Sequence, residues 1–244
     1  MTIDVVLLPR ELRPEHLAQK TVVVFDVLRA TKTMTAALAA GVKEIRIFGS
    51  LDTALAAGRS FQGPHLLCGE RNAVKPPGFD LGNSPDVFNR ELHRNTTLLM
   101  TTTNGTVAIL ASKGAEAIFV GALVNAHAVA EVLGKGGRDL TLLCAGTEGY
   151  VSSEDVLGAG AVIDGLESRI PIQLKSDTAW MARSLFRAER MRLKDALSES
   201  RGGHNIRRAG LTPDIAFCAN LNSIDVVGVV QGEPPVVRLF DGES

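Results

Sequence analysis

Cysteine is scarce in this sequence and is not arranged for disulfide formation or metal binding. The 244 residues contain only Cys68, Cys144 and Cys218. Their number is odd, and no two of them show the Cys-x-x-Cys spacing of zinc sites and redox motifs. The composition therefore argues against a disulfide framework and a zinc site, and it fits a reduced cytoplasmic compartment best.

Long apolar runs and a strong net charge are also missing. No run approaches the roughly 18 apolar residues that a membrane-spanning helix requires. The start, MTIDVVLLPRELRPEHL, has too short an apolar run for a signal peptide. The formal net charge of −1 argues against a general nucleic-acid binder. We therefore expect a cytoplasmic protein with neither membrane nor nucleic acid as a partner, and the sequence leaves a homodimer open.

Short apolar runs alternate with helical patterns along the chain. This alternation is typical of a parallel or mixed sheet that is covered on both faces, and so of an α/β fold. The length suits one large domain over residues 1–244, or two closely joined halves with the site cleft between them. The predicted strands are Val5–Leu8, Val22–Asp26, Glu44–Phe48, His65–Cys68, Thr97–Thr101, Ala117–Val120, Leu140–Cys144, Ile215–Cys218, Val226–Val230 and Val236–Phe240. The predicted helices are Thr31–Ala40, Thr53–Arg59, Pro85–Glu91, Gly105–Lys113, Ala126–Leu133, Ser153–Ser168 and a long tract from Asp177 to about Leu197.

Polar residues are concentrated directly after four of the predicted strands. These segments read DVLRAT, GERNAVKPPGFDLGNSP, TTTNGT and AGTEGYVSSED. Buried strands require apolar runs, but they do not require carboxylates, arginines and hydroxyls at their exits. Ligands of open α/β sheets bind outside the carboxyl ends of the strands. The four segments therefore indicate a site for an anion.

The TTTNGT segment has two interpretations. Backbone N–H groups at the start of the helix could cradle an anion. Alternatively, Thr103 or Asn104 is an ordinary N-cap that needs no ligand. The chain contains no Walker A sequence.

The long loop after His65–Cys68 carries both carboxylates and cations, namely Glu70, Arg71, Lys75 and Asp80. Loops of this length inside compact domains are usually functional or disordered. A solvated surface loop is the alternative, with Ser84 as an N-cap and Pro85 at the first helical position.

Two further segments are equally open. In VSSED, Ser152 and Asp155 fit a capping box, whereas Glu154 and Asp155 could face the cleft as metal ligands. Residues 183–208 include eight lysines and arginines but only three acidic residues. That excess is typical of the solvated face of a helix, but Gly202 and Gly203 are expected to break the helix there. Arg207 and Arg208 on such a hinge could close over an anionic ligand.

Several blocks of the sequence resemble those of the 2-phosphosulfolactate phosphatases in order and spacing. They are FDVLRATKT, GERNAVKPPGFDLGNSP, TTTNGT and CAGTEG…SSED…GAGAV, followed by GGHNIRRAG…PDIAFCAN. The resemblance extends over nearly the whole chain. It implies a three-layer α/β/α fold and a Mg²⁺-dependent phosphomonoesterase. Members of that family hydrolyse 2-phospho-3-sulfolactate to sulfolactate and phosphate, a step toward coenzyme M.

The resemblance and the strand-end pattern together suggest a set of site residues. We expect Asp26, Arg29 and Arg71 to be catalytic. Mg²⁺ prefers oxygen ligands, and the carboxylates predicted for it are Asp26, Glu70, Asp80 and Asp155. The small anionic phosphoester is predicted to contact Thr31, Lys32, Lys75, Thr102, Thr103, Asn104, Gly105, Thr106 and Arg207.

The mechanism is left open between two routes. Haloacid-dehalogenase phosphatases carry a second Asp two residues after the nucleophile, but Leu28 occupies that position after Asp26. Asp26 could still form a phosphoaspartyl intermediate by another route, or a metal-activated water could attack directly. The alternative functions are hydrolysis of another small anionic phosphoester and non-catalytic binding of an anion or nucleotide.

Overall fold

The computed structural model describes residues 1–242, and a ten-stranded mixed sheet forms its centre. The order of strands across the sheet is β4-β5-β3-β10-β9-β6-β2-β7-β1-β8. An α/β fold with a mixed sheet is thereby confirmed. The strands are β1 (Thr2–Val6), β2 (Thr21–Phe25), β3 (Glu44–Ile47), β4 (His65–Gly69), β5 (Thr97–Thr101), β6 (Ala117–Gly121), β7 (Leu140–Cys144), β8 (Gln173–Leu174), β9 (Gly228–Gln231) and β10 (Val236–Leu239).

Helices connect most of the strands and cover both faces of the sheet. None of those within residues 1–242 is long and apolar enough to cross a membrane. The helices are α1 (Ala30–Ala39), α2 (Leu51–Ser60), α3 (Arg90–His93), α4 (Gly105–Ala111), α5 (Ala126–Gly136), α6 (Ser153–Glu167), α7 (Asp177–Glu189), α8 (Leu193–Glu199), α9 (Arg201–Arg208) and α10 (Thr212–Cys218).

Strand β2 shows why helices lie on both faces. All five of its residues are buried, and successive side chains of a strand point to opposite faces. Val23 and Phe25 join the apolar core formed with α5, α6 and α7. Val22 and Val24 join a second core formed with α1 and α4. A strand that is buried at every position therefore sits in the middle layer of the predicted α/β/α arrangement.

The sheet consists of two parallel parts that are joined by the β9–β10 hairpin. Strands β6, β2, β7, β1 and β8 are parallel to one another, as are β3, β5 and β4. The hairpin pairs antiparallel with both parts, so the two parts run in opposite directions. Twist of about 20–25° per strand pair accumulates over the five pairings from β2 to β5. We attribute to this rotation the meeting of the carboxyl ends of β2, β4 and β5 at one pocket.

The C-terminal part of the chain corrects two sequence predictions. Ile215–Cys218, predicted as a strand, is the end of helix α10, which has Pro213 in its first turn. The tract from Asp177 to about Leu197 is not continuous, because α7 ends at Glu189 and α8 begins at Leu193.

Other elements also differ from the predicted ones. The predicted helix Pro85–Glu91 is a 3₁₀ turn over Pro85–Val87, followed by the short helix α3. The first strand begins and ends earlier than Val5–Leu8. The two-residue strand β8 pairs with β1 at one edge of the sheet and lies in a segment where no strand was predicted.

The glycine pair in GGHNIRRAG does not break a helix, contrary to the sequence prediction. Both glycines are buried in the first turn of α9, where Ser200 caps the helix by accepting a hydrogen bond from the Gly203 N–H at 3.0 Å. A Cβ on Gly203 would lie 2.0 Å from the Leu197 carbonyl oxygen. The pair therefore allows α9 to pack closely against the end of α8.

Candidate active site

A pocket of about 370 Å³ lies where the carboxyl ends of β2, β4 and β5 meet helix α9. Its size is at the lower end of the range for small-molecule sites. Five of the residues predicted for the site line it: Asp26, Arg29, Glu70, Thr103 and Asn104. The other lining residues are Leu28, Asn72, Ala73, Val74, Asn83, Thr147, Glu148, Gly202, Asn205, Ile206, Arg208 and Ala209.

Asp26 follows β2 directly and is only 6% exposed. Its Oδ1 accepts a hydrogen bond from the Ala30 N–H at 3.1 Å. Burial, together with the negative charges of Glu70 and Glu154, raises the pKa of this carboxyl to about 7, against the hydrogen bonds from Ala30 and Gly105. A carboxylate that is crowded by other acids in this way favours a bound cation.

Two neighbours fix Asp26 without lining the pocket. Thr31 Oγ1 donates to the Gly121 carbonyl at 2.7 Å and accepts from the Asp26 N–H at 3.0 Å. Gly105 begins α4 against the carboxylate. A Cβ at that position would lie 2.5 Å from Ala30 Cβ and 2.7 Å from Asp26 Oδ2. Only glycine allows the start of α4 to approach Asp26 this closely.

Glu70 joins the end of β4 to the loop after β5. Its Oε1 accepts from the Thr103 N–H at 2.7 Å, and its Oε2 accepts from the Ala73 N–H at 3.0 Å. The hydroxyl of Thr103 is buried and has no hydrogen-bond partner among residues 1–242. An unpaired buried polar atom is costly, so Thr103 Oγ1 is available for a ligand.

Arg29 is buried at the base of the pocket and is held by three hydrogen bonds. Its Nη1 donates to Asp214 Oδ2 at 2.5 Å and to Ser84 Oγ at 2.9 Å, and its Nη2 donates to the Ala73 carbonyl at 2.8 Å. The hydroxyl of Ser84 also donates to Asp214. Ser84 occupies the N-cap position predicted for it, but its side chain caps nothing. Asp214 was not among the predicted site residues, because it directly precedes a segment that was predicted as a strand.

Asp155 ties two strand ends together. Its Oδ1 accepts from the Val27 N–H at 2.8 Å, and its Oδ2 accepts from the Gly146 N–H at 2.9 Å. Burial and the charges of Glu154 and Asp26 raise its pKa well above the usual value. The predicted capping box is absent, because Ser152 donates to Thr147 Oγ1 instead. Asp155 thus supports the backbone of the site and does not line the pocket.

Glu154 lies beneath the pocket, next to the first turn of α9. It is 1% exposed, and its Oε2 has no hydrogen-bond partner among residues 1–242. Burial is the largest cause of its raised pKa. A Cβ on Gly202 would lie 2.0 Å from Glu154 Oε1, which explains a glycine there.

Several predicted residues stabilise the loops around the pocket and do not line it. Asp80 Oδ2 accepts from the Leu67 N–H at 2.8 Å, and Lys75 donates to the Asp80 carbonyl at 3.3 Å. Arg71 donates to the Glu70 carbonyl at 2.7 Å. Thr102 and Thr106 bond each other at the start of α4 through side chain and backbone.

Two predicted cations also lie outside the pocket. Lys32 is fully buried in α1, 4.1 Å from the centre of the Phe217 ring, and burial lowers its pKa to about 8. Arg207 is exposed and bonds His204 at 2.7 Å. The adjacent Arg208 lines the pocket in its place.

The charges of the pocket bear on metal binding. Three acids line it, Asp26, Glu70 and Glu148, against the two cations Arg29 and Arg208. No three His, Cys, Asp or Glu side chains within residues 1–242 are grouped as a complete metal cage. Mg²⁺, however, is often held by one or two carboxylates together with water and substrate phosphate oxygens. The oxygen donors Asp26 and Glu70 fit that mode of binding.

The site is a pocket at the strand ends of an α/β fold, with a buried arginine and an excess of carboxylates. A family model described as 2-phosphosulpholactate phosphatase matches residues 6–233. A protein of Carboxydothermus hydrogenoformans, named "Probable 2-phosphosulfolactate phosphatase", is 38% identical over 227 residues, covering 93% of this chain and 92% of its own.

Two proteins with the same name, from two further organisms, show similar sequence identity and coverage. The one from Caldanaerobacter subterraneus is 37% identical and covers 86% of this chain and 88% of its own. The one from Symbiobacterium thermophilum is 38% identical and covers 88% and 93%. The chain belongs to the 2-phosphosulfolactate phosphatase family. The predicted family and enzyme class, a phosphoric monoester hydrolase, are thereby confirmed.

Proposed function

We propose that this protein hydrolyses 2-phospho-3-sulfolactate with the help of Mg²⁺. The observation that carries the proposal is that Asp26 and Arg29, which both follow β2, line one pocket that has more acids than cations. A phosphoester with several negative charges would be repelled by this pocket on its own. A divalent cation on Asp26 and Glu70 would reverse the balance.

In this proposal Arg29 contacts the phosphoryl group. A guanidinium has five N–H donors, and three hydrogen bonds to protein leave two for a ligand. Because Asp214 and Ser84 fix the side chain, these donors need no reorganisation when charge develops in the transition state. When bound, Mg²⁺ would withdraw charge from the phosphoryl oxygens.

The overall reaction adds water across the ester bond. The phosphorus–oxygen bond to sulfolactate breaks, a water oxygen joins phosphorus, and the sulfolactate oxygen takes up a proton. Asp26 would either attack phosphorus itself or help to hold Mg²⁺, which would supply activation of a water molecule, and both roles require its negative charge. A role in coenzyme M biosynthesis and a cytoplasmic location belong to the same proposal.

The test is phosphate release from a panel of phosphoesters that includes 2-phosphosulfolactate, with Mg²⁺ and after exhaustive chelation. We expect release with Mg²⁺ or Mn²⁺ and its loss with chelator. Asp26→Asn should lower turnover by orders of magnitude in folded protein. Asp52→Asn, an exposed change in α2, controls for loss of charge alone.

Three results would contradict parts of the proposal. Full activity after chelation would remove the metal. Release from another phosphoester, but not from 2-phosphosulfolactate, would keep the phosphatase and change its substrate. Binding of phosphoesters without any release would favour a non-catalytic anion binder.

A further inference from the structure

The two arginines that line the pocket have different partners. Arg29 is paired with the buried carboxylate of Asp214. Arg208, in the last turn of α9, donates to the neutral side-chain oxygen of Asn205, and no ion pair to it is found among residues 1–242. Arg208 therefore keeps its full charge for a ligand, whereas part of the Arg29 charge is already balanced.

Their depths differ as well. Arg29 is 2% exposed and follows the same strand as Asp26, whereas Arg208 is an exposed residue of α9. The pocket thus offers one cation at its base and another at its mouth. A phosphoryl group at the base, beside Asp26, places the rest of a small substrate toward Arg208.

Polar contacts hold Arg208 across the mouth of the pocket. Asn205, its acceptor, donates in turn to Glu148 Oε1 at 3.4 Å. The Glu148 N–H donates to Asn104 Oδ1 at 3.3 Å. This chain links α9 with the loops after β7 and β5, so the guanidinium is positioned by three separate segments of the site.

We propose that Arg208 forms a subsite for a second anionic group of the substrate, a carboxylate or sulfonate attached to the carbon skeleton that carries the phosphate. The inference deepens the proposed function and rests on it. A guanidinium suits such groups because its planar N–H pairs bind two oxygens at once. The subsite selects phosphoesters that carry a further acid over those that carry none.

The test compares two substrates in several variants. For 2-phosphosulfolactate, Arg208→Gln should lower kcat/KM by about ten- to a hundredfold more than for phenyl phosphate, which has no second anion, because a hydrogen bond between charged groups is lost. Arg207→Gln removes the same charge one residue earlier and tests the alternative predicted from the sequence. Arg190→Gln, an exposed change at the end of α7, is the charge control.

The outcomes separate this inference from the proposed function. If wild-type protein releases no phosphate from any ester, the function fails. If wild type is active but Arg208→Gln lowers kcat/KM equally for both substrates, the subsite is wrong. A selective loss in Arg207→Gln, with Arg208→Gln normal, would also overturn it. Circular dichroism of each variant checks that it is folded, so that the kinetic values of folded proteins are compared.

Discussion

At the scale of single residues, the Arg29–Asp214 pair determines how mutations at the site must be designed. Removing Arg29 leaves Asp214 buried without its cation. Breaking a buried pair from one side costs about 3–5 kcal/mol. Arg29→Ala is therefore expected to lose both turnover and stability, and the loss of activity alone would not show a catalytic role.

The matched variant is Arg29→Ala/Asp214→Ala. Because neither charge of the pair is left buried without its partner, we expect most of the lost free energy of unfolding to return, while phosphate release stays low. Urea denaturation measures the first quantity, and the phosphate assay with Mg²⁺ measures the second. Recovery of activity together with stability would show that Arg29 only supports the fold.

Individual side chains could be predicted where a strand end determines their position. Asp26, Arg29 and Glu70 follow β2 or β4 directly, and all three line the pocket. The arginine of α9 could not be chosen from sequence, because one residue turns a helix by about 100°. Arg207 and Arg208 therefore differ in direction although they are adjacent in sequence.

At the scale of secondary-structure elements, the start of α4 is the contact most sensitive to added volume. Gly105→Ala would place a methyl group 2.5 Å from Ala30 Cβ and 2.7 Å from Asp26 Oδ2. Overpacking of this kind costs about 1–3 kcal/mol. We expect lower stability and lower turnover, because α4 or Asp26 must shift.

Gly134→Ala in α5 is the control for this change. The nearest atom to its new methyl group lies at 3.9 Å, so the helix gains about 0.5–1 kcal/mol without a clash. Gly105→Ala should thus lower both the melting temperature and phosphate release. Gly134→Ala should raise the melting temperature slightly and leave phosphate release unchanged. Equal behaviour would mean that the approach of α4 to Asp26 is not tight.

Element types were predictable where a continuous apolar run formed most of a strand, as in β2, and the predictions failed where short segments had competing signals. The apolar residues of Ile215–Cys218 are typical of a strand, but Pro213 and Asp214, which precede them, favour the start of a helix. Gly202 and Gly203 look like helix breakers because their local propensity is poor. Close packing against Glu154 and Leu197 requires them, and no local pattern reports that contact.

At the scale of the whole molecule, the predicted meeting of strand ends was right for an incomplete reason. Strand ends of a parallel sheet share one edge, but here the two parts of the sheet run in opposite directions. The β9–β10 hairpin that joins them comes from the last part of the chain. Sequence pattern reveals the strands but not their pairing, so accumulated twist could not be anticipated.

The stability of the whole protein should depend on pH through Asp26. The pKa of this carboxyl rises from its ordinary value of 3.8 in the unfolded chain to about 7 in the folded state. Between these values the unfolded chain has released the proton and the folded chain retains it, so the free energy of unfolding falls as pH rises. About three pKa units correspond to a loss on the order of 4 kcal/mol, complete above pH 7.

Asp26→Asn cannot ionise, so its stability advantage over wild type should grow from pH 5 to pH 8. Bound Mg²⁺ would offset the cost of the carboxylate in wild type, and a cation at a hundred times its Kd stabilises by about 2.7 kcal/mol. Protons compete with the cation for Asp26 at low pH. Thermal denaturation with Mg²⁺ and with chelator should therefore show a larger Mg²⁺ shift for wild type at pH 8 than at pH 5. If Mg²⁺ raises the melting temperature of Asp26→Asn as much as that of wild type, the metal binds elsewhere. If Mg²⁺ does not raise the melting temperature of Asp26→Asn, the cation binds at the end of β2.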